Sequence, residues 1–141
     1  MRTAREVRAD LEQFEPGANE VNSVSRLYEI LEGADTLANR DDIVPALFGV
    51  LERFPNADLG NPGPIVHALE SIAPFSKELA VSLMRQPTWL TINMVARILN
   101  SNVALSDRTF WLAQLKKVEG HVRCSAANRA FASDILGRYA A

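Results

Sequence analysis

The chain has 141 residues, the size of one ordinary domain, and is long enough to bury a core without disulfides or bound metal. Its 48% apolar and 23% charged residues are typical of a soluble globular protein, and a single cysteine excludes an internal disulfide. The first ten residues lack the apolar core of a signal peptide, and no apolar run reaches the roughly 18 residues of a membrane span. We therefore expect a cytoplasmic protein with one helical domain, residues 1–141.

Charge is unevenly distributed along the chain. Residues 1–70 carry 13 Asp/Glu and 6 Lys/Arg, a net of −7, whereas residues 71–141 carry 4 Asp/Glu and 9 Lys/Arg, a net of +5. An acidic half is typical of a protein that attracts a basic partner. The alternative interpretation is ordinary solvation of the surface.

Apolar residues recur at helical spacing in nearly every segment, and strand-like alternation is absent. The first predicted helix covers residues 3–14 and is stopped by Pro16-Gly17. The second covers residues 21–31 and ends at Gly33, which suits the position just past a helix. Its expected core face is made of Val24, Leu27, Tyr28 and Leu31.

The third predicted helix covers residues 42–54, is capped by Asp41 or Asp42, and tolerates Pro45 in its first turn. Its expected core residues are Ile43, Leu47, Val50, Leu51 and Phe54. A loop over residues 56–62 follows. The fourth helix is expected to begin at Pro64 and to run to about Ala73.

Prolines separate the next two predicted helices, residues 75–86 and 88–100. The seventh covers residues 107–119, begins at a Ser106 or Asp107 cap and ends at Gly120. Its apolar residues are Phe110, Trp111, Leu115 and Val118. The last covers residues 125–139, with Ala127, Phe131, Ile135 and Tyr139 on one side.

About eight short helices with short connections predict an all-α fold. From residue 42 onward they group as three antiparallel pairs spaced about 32 residues apart, which is within the range of helical repeat proteins. We expect stacked helical hairpins of a HEAT-like kind. A compact irregular bundle is the alternative.

Two of these helices combine apolar faces with a narrow polar stripe. His67, Glu70 and Ser71 share one side of the fourth helix, and Asn93, Arg97 and Asn100 form one line on the sixth. In stacked hairpins they would share a face with Asn128 and Arg129. The expected partner-binding residues are His67, Glu70, Trp89, Asn93, Arg97, Asn100 and Arg129.

The polar stripes also have structural interpretations. Glu70 and Arg97 would suit an internal ion pair, Asn100 a helix C-cap, and His67 a satisfied core histidine. The sequence alone does not separate these roles from partner binding.

Catalytic and cofactor motifs are absent from the sequence. It has no phosphate-binding glycine loop, and two histidines with one cysteine make a zinc site improbable, so we predict no metal and no cofactor. Two enzymatic alternatives are a Cys–His pair, His121 with Cys124, and an acid–base pair, His67 with Glu70. A helix-turn-helix over residues 75–100 lacks flanking basic residues, and the pI of about 5.7 also disfavours nucleic-acid binding.

Residues 63–102 carry a resemblance to a known family. The pattern consists of Gly63-Pro64-Ile65-Val66-His67-x-Leu69-Glu70, Leu83-x-Arg85-x-Pro87-Thr88 and Met94-x-x-Arg97-Ile98-Leu99-Asn100. It resembles the small all-helical immunity proteins that bacteria encode beside polymorphic or contact-dependent inhibition toxins. The resemblance implies a cytoplasmic inhibitor, a monomer or weak dimer without enzymatic activity, that binds a cognate toxin domain, often a nuclease. A protein-interaction adaptor of other purpose is the alternative.

Overall fold

The computed structural model describes residues 2–72 and 74–139, and this part of the chain is all-helical, which confirms the predicted all-α class. Within the described ranges the helices are α1 (Ala4–Gln13), α2 (Glu20–Leu31), α3 (Val44–Arg53), α4 (Gly63–Ile72), α5 (Ser76–Arg85), α6 (Trp89–Asn100), α7 (Leu105–Glu119) and α8 (Ala126–Tyr139). Two short 3-10 helices, Ala34–Thr36 and Arg40–Ile43, precede α3. The predicted end of the fourth helix, Ala73, lies outside the described residues, as do the ends of the predicted domain at positions 1, 140 and 141. Over the described ranges, none of the helices has the length and apolar character needed to cross a bilayer.

The chain divides into two compact units, Met1–Glu78 and Leu79–Ala141, with the boundary inside α5. The first unit carries 14 Asp/Glu and 7 Lys/Arg, a net of −7, and the second carries 3 Asp/Glu and 8 Lys/Arg, a net of +5. The charge asymmetry of the sequence therefore follows the division of the structure.

Helix α1 begins and ends as the sequence predicts. Thr3 and Glu6 form a reciprocal capping box, in which the Glu6 amide donates to Thr3 Oγ1 at 3.2 Å. At the other end, Arg53 of α3 donates from Nη2 to the Leu11 carbonyl at 2.9 Å, which satisfies a terminal carbonyl of α1. The rings of Phe14 and Phe54 meet edge to face at 6.4 Å. These contacts join α1 to α3 inside the first unit.

Helix α2 ends where predicted but faces its core differently. Gly33 has φ +73°, the left-handed conformation expected of the residue just past a helix. The buried side chains of α2 are Ser23, Leu27 and Ile30, whereas Tyr28 is 50% exposed. Tyr28 was wrongly assigned to the core. The buried Ser23 hydroxyl donates to the Asn19 carbonyl and accepts from the Gly17 amide, so a polar residue occupies the core face without an unpaired group.

The predicted aspartate cap of α3 is also wrong. Residues Arg40–Ile43 form a 3-10 helix that runs straight into α3, so Ile43 occupies the cap position and makes no side-chain cap bond. The short helix already supplies helical backbone before α3, which removes the place for a capping side chain. The predicted core of α3 is confirmed except for Phe54, which is half-buried; its buried members are Ile43, Leu47, Val50 and Leu51.

In the second unit, α6 contacts both α7 and α8, and α7 packs along α8. Helix α7 starts at Leu105 with Ala104 at the cap position, so the predicted cap at Ser106 or Asp107 is wrong. Of the four apolar residues noted in the sequence of α7, Trp111, Leu115 and Val118 are buried, whereas Phe110 is 46% exposed.

Helix α8 also buries a different side from the one that the sequence pattern indicates. Its buried residues are Asn128, Ala132 and Ile135, whereas Phe131 and Tyr139 are half-buried and Ala127 is exposed. Each unit is a packed arrangement of helices, as an all-α bundle requires. The HEAT-like repeat stays a prediction.

Two carboxyl groups meet where α2 begins. The Glu20 side chain hydrogen-bonds to that of Asp58; this bond, followed by some desolvation and by repulsion from Asp58, raises the pKa of Glu20 above its ordinary value. The folded chain then holds the proton more tightly than the unfolded chain. The protonated Glu20 therefore stabilises the folded chain. This contribution is fully present at pH values below the unfolded pKa of Glu20, and it is lost as pH rises through the raised pKa of the folded chain.

We therefore expect Asp58→Asn to raise the melting temperature near neutral pH, because the substitution removes the repulsion that Asp58 exerts on the Glu20 carboxylate. The gain should shrink as pH falls to about 4, the ordinary carboxyl range. Thermal melts followed by circular dichroism across this range test it. Asp41→Asn, which removes the same charge from the exposed surface of the first unit, is the control. A gain for Asp58→Asn that is equal at all pH values would contradict the explanation.

Candidate functional site

An open groove of about 490 Å³ lies on the first unit, between α2, the 3-10 helix Ala34–Thr36 and α4. Helix α4 contacts both other elements. Gly33 turns the chain at the end of α2, so that the 3-10 helix folds back beside α4. The lining residues are Tyr28, Glu29, Leu31, Glu32, Ala34, Asp35, Pro64, His67, Ala68 and Ser71. We call this feature the α2–α4 groove.

The α2–α4 groove combines an apolar lining with acidic side chains. Its apolar members are Leu31, Ala34, Pro64 and Ala68. The carboxylates of Glu29, Glu32 and Asp35 are exposed, and they take part in none of the ion pairs formed within residues 2–72 and 74–139. Three carboxylates outside those ion pairs, beside an apolar surface, contribute a negative local potential that favours a cation.

Two arginines fix the walls of the groove from within the first unit. Arg40 donates from Nε to the Ile72 carbonyl at 3.0 Å and from Nη1 to the Asp35 carbonyl at 3.3 Å, which links the end of α4 to the 3-10 helix. Arg2 donates to the carbonyls of Glu29 and Ile30 in the last turn of α2. Both guanidinium groups bind backbone oxygens at helix ends. They therefore hold the walls without forming ion pairs with the acidic side chains of the groove.

His67 is exposed on α4 and lines the groove, as does Ser71. Glu70 is exposed on the same helix but does not belong to the lining. The groove therefore does not gather the two groups that the acid–base hypothesis requires.

The polar line on α6 belongs to the second unit, where two predicted site residues contact α8. Trp89 stacks on Phe131 with ring centroids 5.0 Å apart and planes inclined by 12°, and the Tyr139 hydroxyl donates to Asn100 Oδ1. Both contacts join α6 to α8. The remaining residues of the line are Asn93, which is half-buried, and Arg97, which is exposed.

Arg129 organises the turn between α7 and α8. Its Nη2 donates to the carbonyls of His121 and Cys124 at 3.1 and 3.2 Å. His121 Nδ1 accepts from the Arg123 amide at 3.0 Å, so Nε2 carries the proton and donates to the Met84 carbonyl at 2.5 Å. Both ring nitrogens of His121 are thus engaged with backbone groups and do not act on the thiol of Cys124.

The Cys124 thiol is itself poorly suited to nucleophilic attack. Burial raises its pKa above the ordinary value, and the opposing influence of the Arg129 charge is smaller. A raised pKa leaves less of the reactive thiolate at neutral pH. These two observations disfavour the Cys–His hypothesis.

We expect a thiol reagent such as iodoacetamide to label Cys124 in the folded chain at least about ten-fold more slowly than in the urea-unfolded chain, because burial limits both thiolate formation and access. Mass spectrometry of timed samples measures both rates. Equal rates, or faster labelling of the folded chain, would restore the activated-thiol hypothesis.

The predicted row of site residues is divided between the units. His67 and Glu70 lie on α4 of the first unit, and the remaining five, Trp89, Asn93, Arg97, Asn100 and Arg129, lie in the second. The row as a whole stays a prediction.

Sequence reasoning missed the acidic members of the groove and the exposure of Tyr28. One available signal was the spacing of Glu29, Glu32 and Asp35 around Gly33, which places acidic residues on both sides of a helix end.

Comparison of the chain with models of known protein families, with curated proteins and with solved structures gave no match. The resemblance to immunity proteins therefore stays a prediction.

Proposed function

We propose that this chain is a cytoplasmic immunity protein that binds and neutralises a cognate toxin domain of the nuclease type. The observation that carries the proposal is the α2–α4 groove, with its three carboxylates outside the described ion pairs, on a unit with a net charge of −7. Such a surface suits a basic protein partner.

A nuclease has to bind a negatively charged substrate. Its substrate groove carries Lys and Arg because it contacts a phosphate backbone. An acidic protein surface competes for the same cations, and long-range attraction raises the association rate. Binding of the first unit across that basic groove would block substrate entry.

Tyr28 adds a short-range component to this interaction. A half-exposed aromatic ring beside charged groups is the residue type that dominates binding energy at many interfaces. Its exposed apolar surface supplies affinity that salt does not screen, whereas the carboxylates supply orientation and rate.

The direct test is co-expression with the toxin encoded by the neighbouring upstream gene. We expect protection of the host cells, a one-to-one complex on gel filtration, and an association rate that falls as salt is added. No complex and no protection with that toxin would refute the proposal.

A protein-interaction adaptor would use the same groove, so binding alone does not discriminate between the two. The discriminating measurement is the nuclease activity of the toxin in the purified complex. An immunity protein abolishes this activity, whereas an adaptor binds and leaves it intact.

A further inference from the structure

We propose that the α2–α4 groove is a receptor site for an arginine side chain of the partner protein. The identity of the partner protein rests on the proposed function, whereas the preference for an arginine side chain rests on the residues of the groove itself. The guanidinium group would lie at the carboxylates of Glu29, Glu32 and Asp35, with its alkyl stem on the apolar lining.

The groove is amphipathic, and so is a long cationic side chain. Arginine and lysine bury an aliphatic stem and keep a charged head near polar groups. The groove offers both surfaces side by side, since apolar residues of α2 and α4 lie next to exposed carboxylates. Its volume of about 490 Å³ falls within the range of roughly 300–1,000 Å³ found for sites that hold small ligands.

The residues that line the groove favour arginine over lysine. The Tyr28 ring is half-exposed in the lining, and a planar guanidinium stacks on aromatic rings while it forks hydrogen bonds to carboxylates. Glu29 lies in the last turn of α2 and Glu32 is the residue that caps its C-terminus, so both carboxylates lie at the same end of the helix. A lysine ammonium is more strongly hydrated and has no planar face, so it gains less from the ring.

The walls of the groove are held in place by hydrogen bonds before any occupant enters. Arg40 joins the 3-10 helix to the end of α4, and Arg2 binds the last turn of α2, so both walls are fixed by hydrogen bonds to backbone carbonyls. A groove with fixed walls loses little conformational entropy when an occupant enters. This lowers the cost of binding a single long side chain.

Two other occupants are alternatives that the test has to exclude. A divalent cation would need a cluster of ligands, and none of three or more His, Cys, Asp or Glu side chains was found within residues 2–72 and 74–139. A second copy of this chain would bring its own second unit, which has a net charge of +5.

The test is an NMR titration of the full ¹⁵N-labelled chain at low salt with three acetylated, amidated hexapeptides: hexa-arginine, hexa-lysine and hexa-citrulline. Citrulline keeps the shape of arginine but loses the charge. We expect shifts at the groove residues, binding of hexa-arginine about three-fold or more tighter than hexa-lysine, and no saturation with hexa-citrulline.

Variants then locate the site. Glu32→Gln with Asp35→Asn should weaken hexa-arginine binding about ten-fold, since two charge-assisted contacts are lost. Tyr28→Ala should weaken it about two- to five-fold, and Tyr28→Phe should keep the affinity because the ring is retained. The matched control, Glu15→Gln with Asp41→Asn, removes the same charge from exposed positions outside the lining and should change affinity less than about two-fold.

Several results would overturn the inference: shifts outside the groove, equal weakening by the control pair, or saturable binding of hexa-citrulline. Groove shifts that respond to Ca²⁺ more strongly than to hexa-arginine would identify a metal site instead. Concentration-dependent groove shifts without any peptide would identify a second copy as the occupant.

The two proposals fail separately. If the toxin is captured and hexa-arginine does not bind the groove, the arginine site is wrong and the proposed function stands. If hexa-arginine binds the groove and the toxin is not captured, the proposed function is wrong and the site stands.

Discussion

Replacement of Glu32 and Asp35 together by lysine is expected to weaken capture of the toxin domain by about 100-fold, with most of the loss visible at low salt. Both carboxylates line the groove and lie outside the ion pairs of the described residues, so their reversal faces a basic partner with like charge. Both residues are exposed, so folding should be little affected. Stopped-flow association rates and calorimetric affinities at two salt concentrations measure the effect.

The matched control is Glu15→Lys with Asp41→Lys, which changes the net charge equally at exposed positions outside the groove. It should slow association through long-range repulsion and leave the dissociation rate nearly unchanged. Equal loss of affinity in both double variants would mean that only the overall charge of the first unit matters, and the groove would lose its role.

Gly60→Ala is expected to lower the free energy of unfolding by about 2–4 kcal/mol, because two separate penalties coincide. Gly60 has φ +110°, a conformation that residues with a Cβ rarely adopt. An added Cβ would also lie 2.4 Å from the Gly63 Cα and 3.0 Å from the Gly63 nitrogen. These are backbone atoms at the start of α4, so the clash cannot be relieved by rotating a side chain. Urea unfolding followed by circular dichroism gives the value.

Gly137→Ala is the control for that experiment. Gly137 lies in α8, and nothing lies within 4 Å of an added Cβ. Alanine is the better helix former, so this change should raise the free energy of unfolding by up to about 1 kcal/mol. The same sign for both variants would contradict the backbone explanation at Gly60.

Local signals in the sequence located the helices well. The glycines Gly33 and Gly120, which follow α2 and α7, act through backbone geometry and hydrogen bonds between near neighbours. Such effects are encoded within a few residues, so they are readable without the fold. The cap assignments at α3 and α7 failed because a preceding 3-10 helix and a start at Leu105 replaced the side-chain caps.

The candidate site was predictable only in part. His67 was singled out as a member of the polar stripe on the fourth helix, and it does line the groove. Tyr28 was assigned to the core because helical spacing places it beside Leu27 and Leu31, yet the pattern does not say which side of a broad apolar face another helix will cover. The acidic residues were visible as charge, whereas their convergence on one groove depends on how α2 and α4 pack.

The sequence by itself determined an all-α chain with an acidic first half, because helical period, caps and net charge are properties of neighbouring residues and of composition. Only the tertiary structure decided that the acidic half is a compact unit with a groove. A groove forms where elements distant in the sequence approach, and their orientation is set by burial and hydrogen bonds such as those from Arg40. The same packing left the Tyr28 ring half-exposed beside three carboxylates, and this environment is the basis of the proposed arginine site.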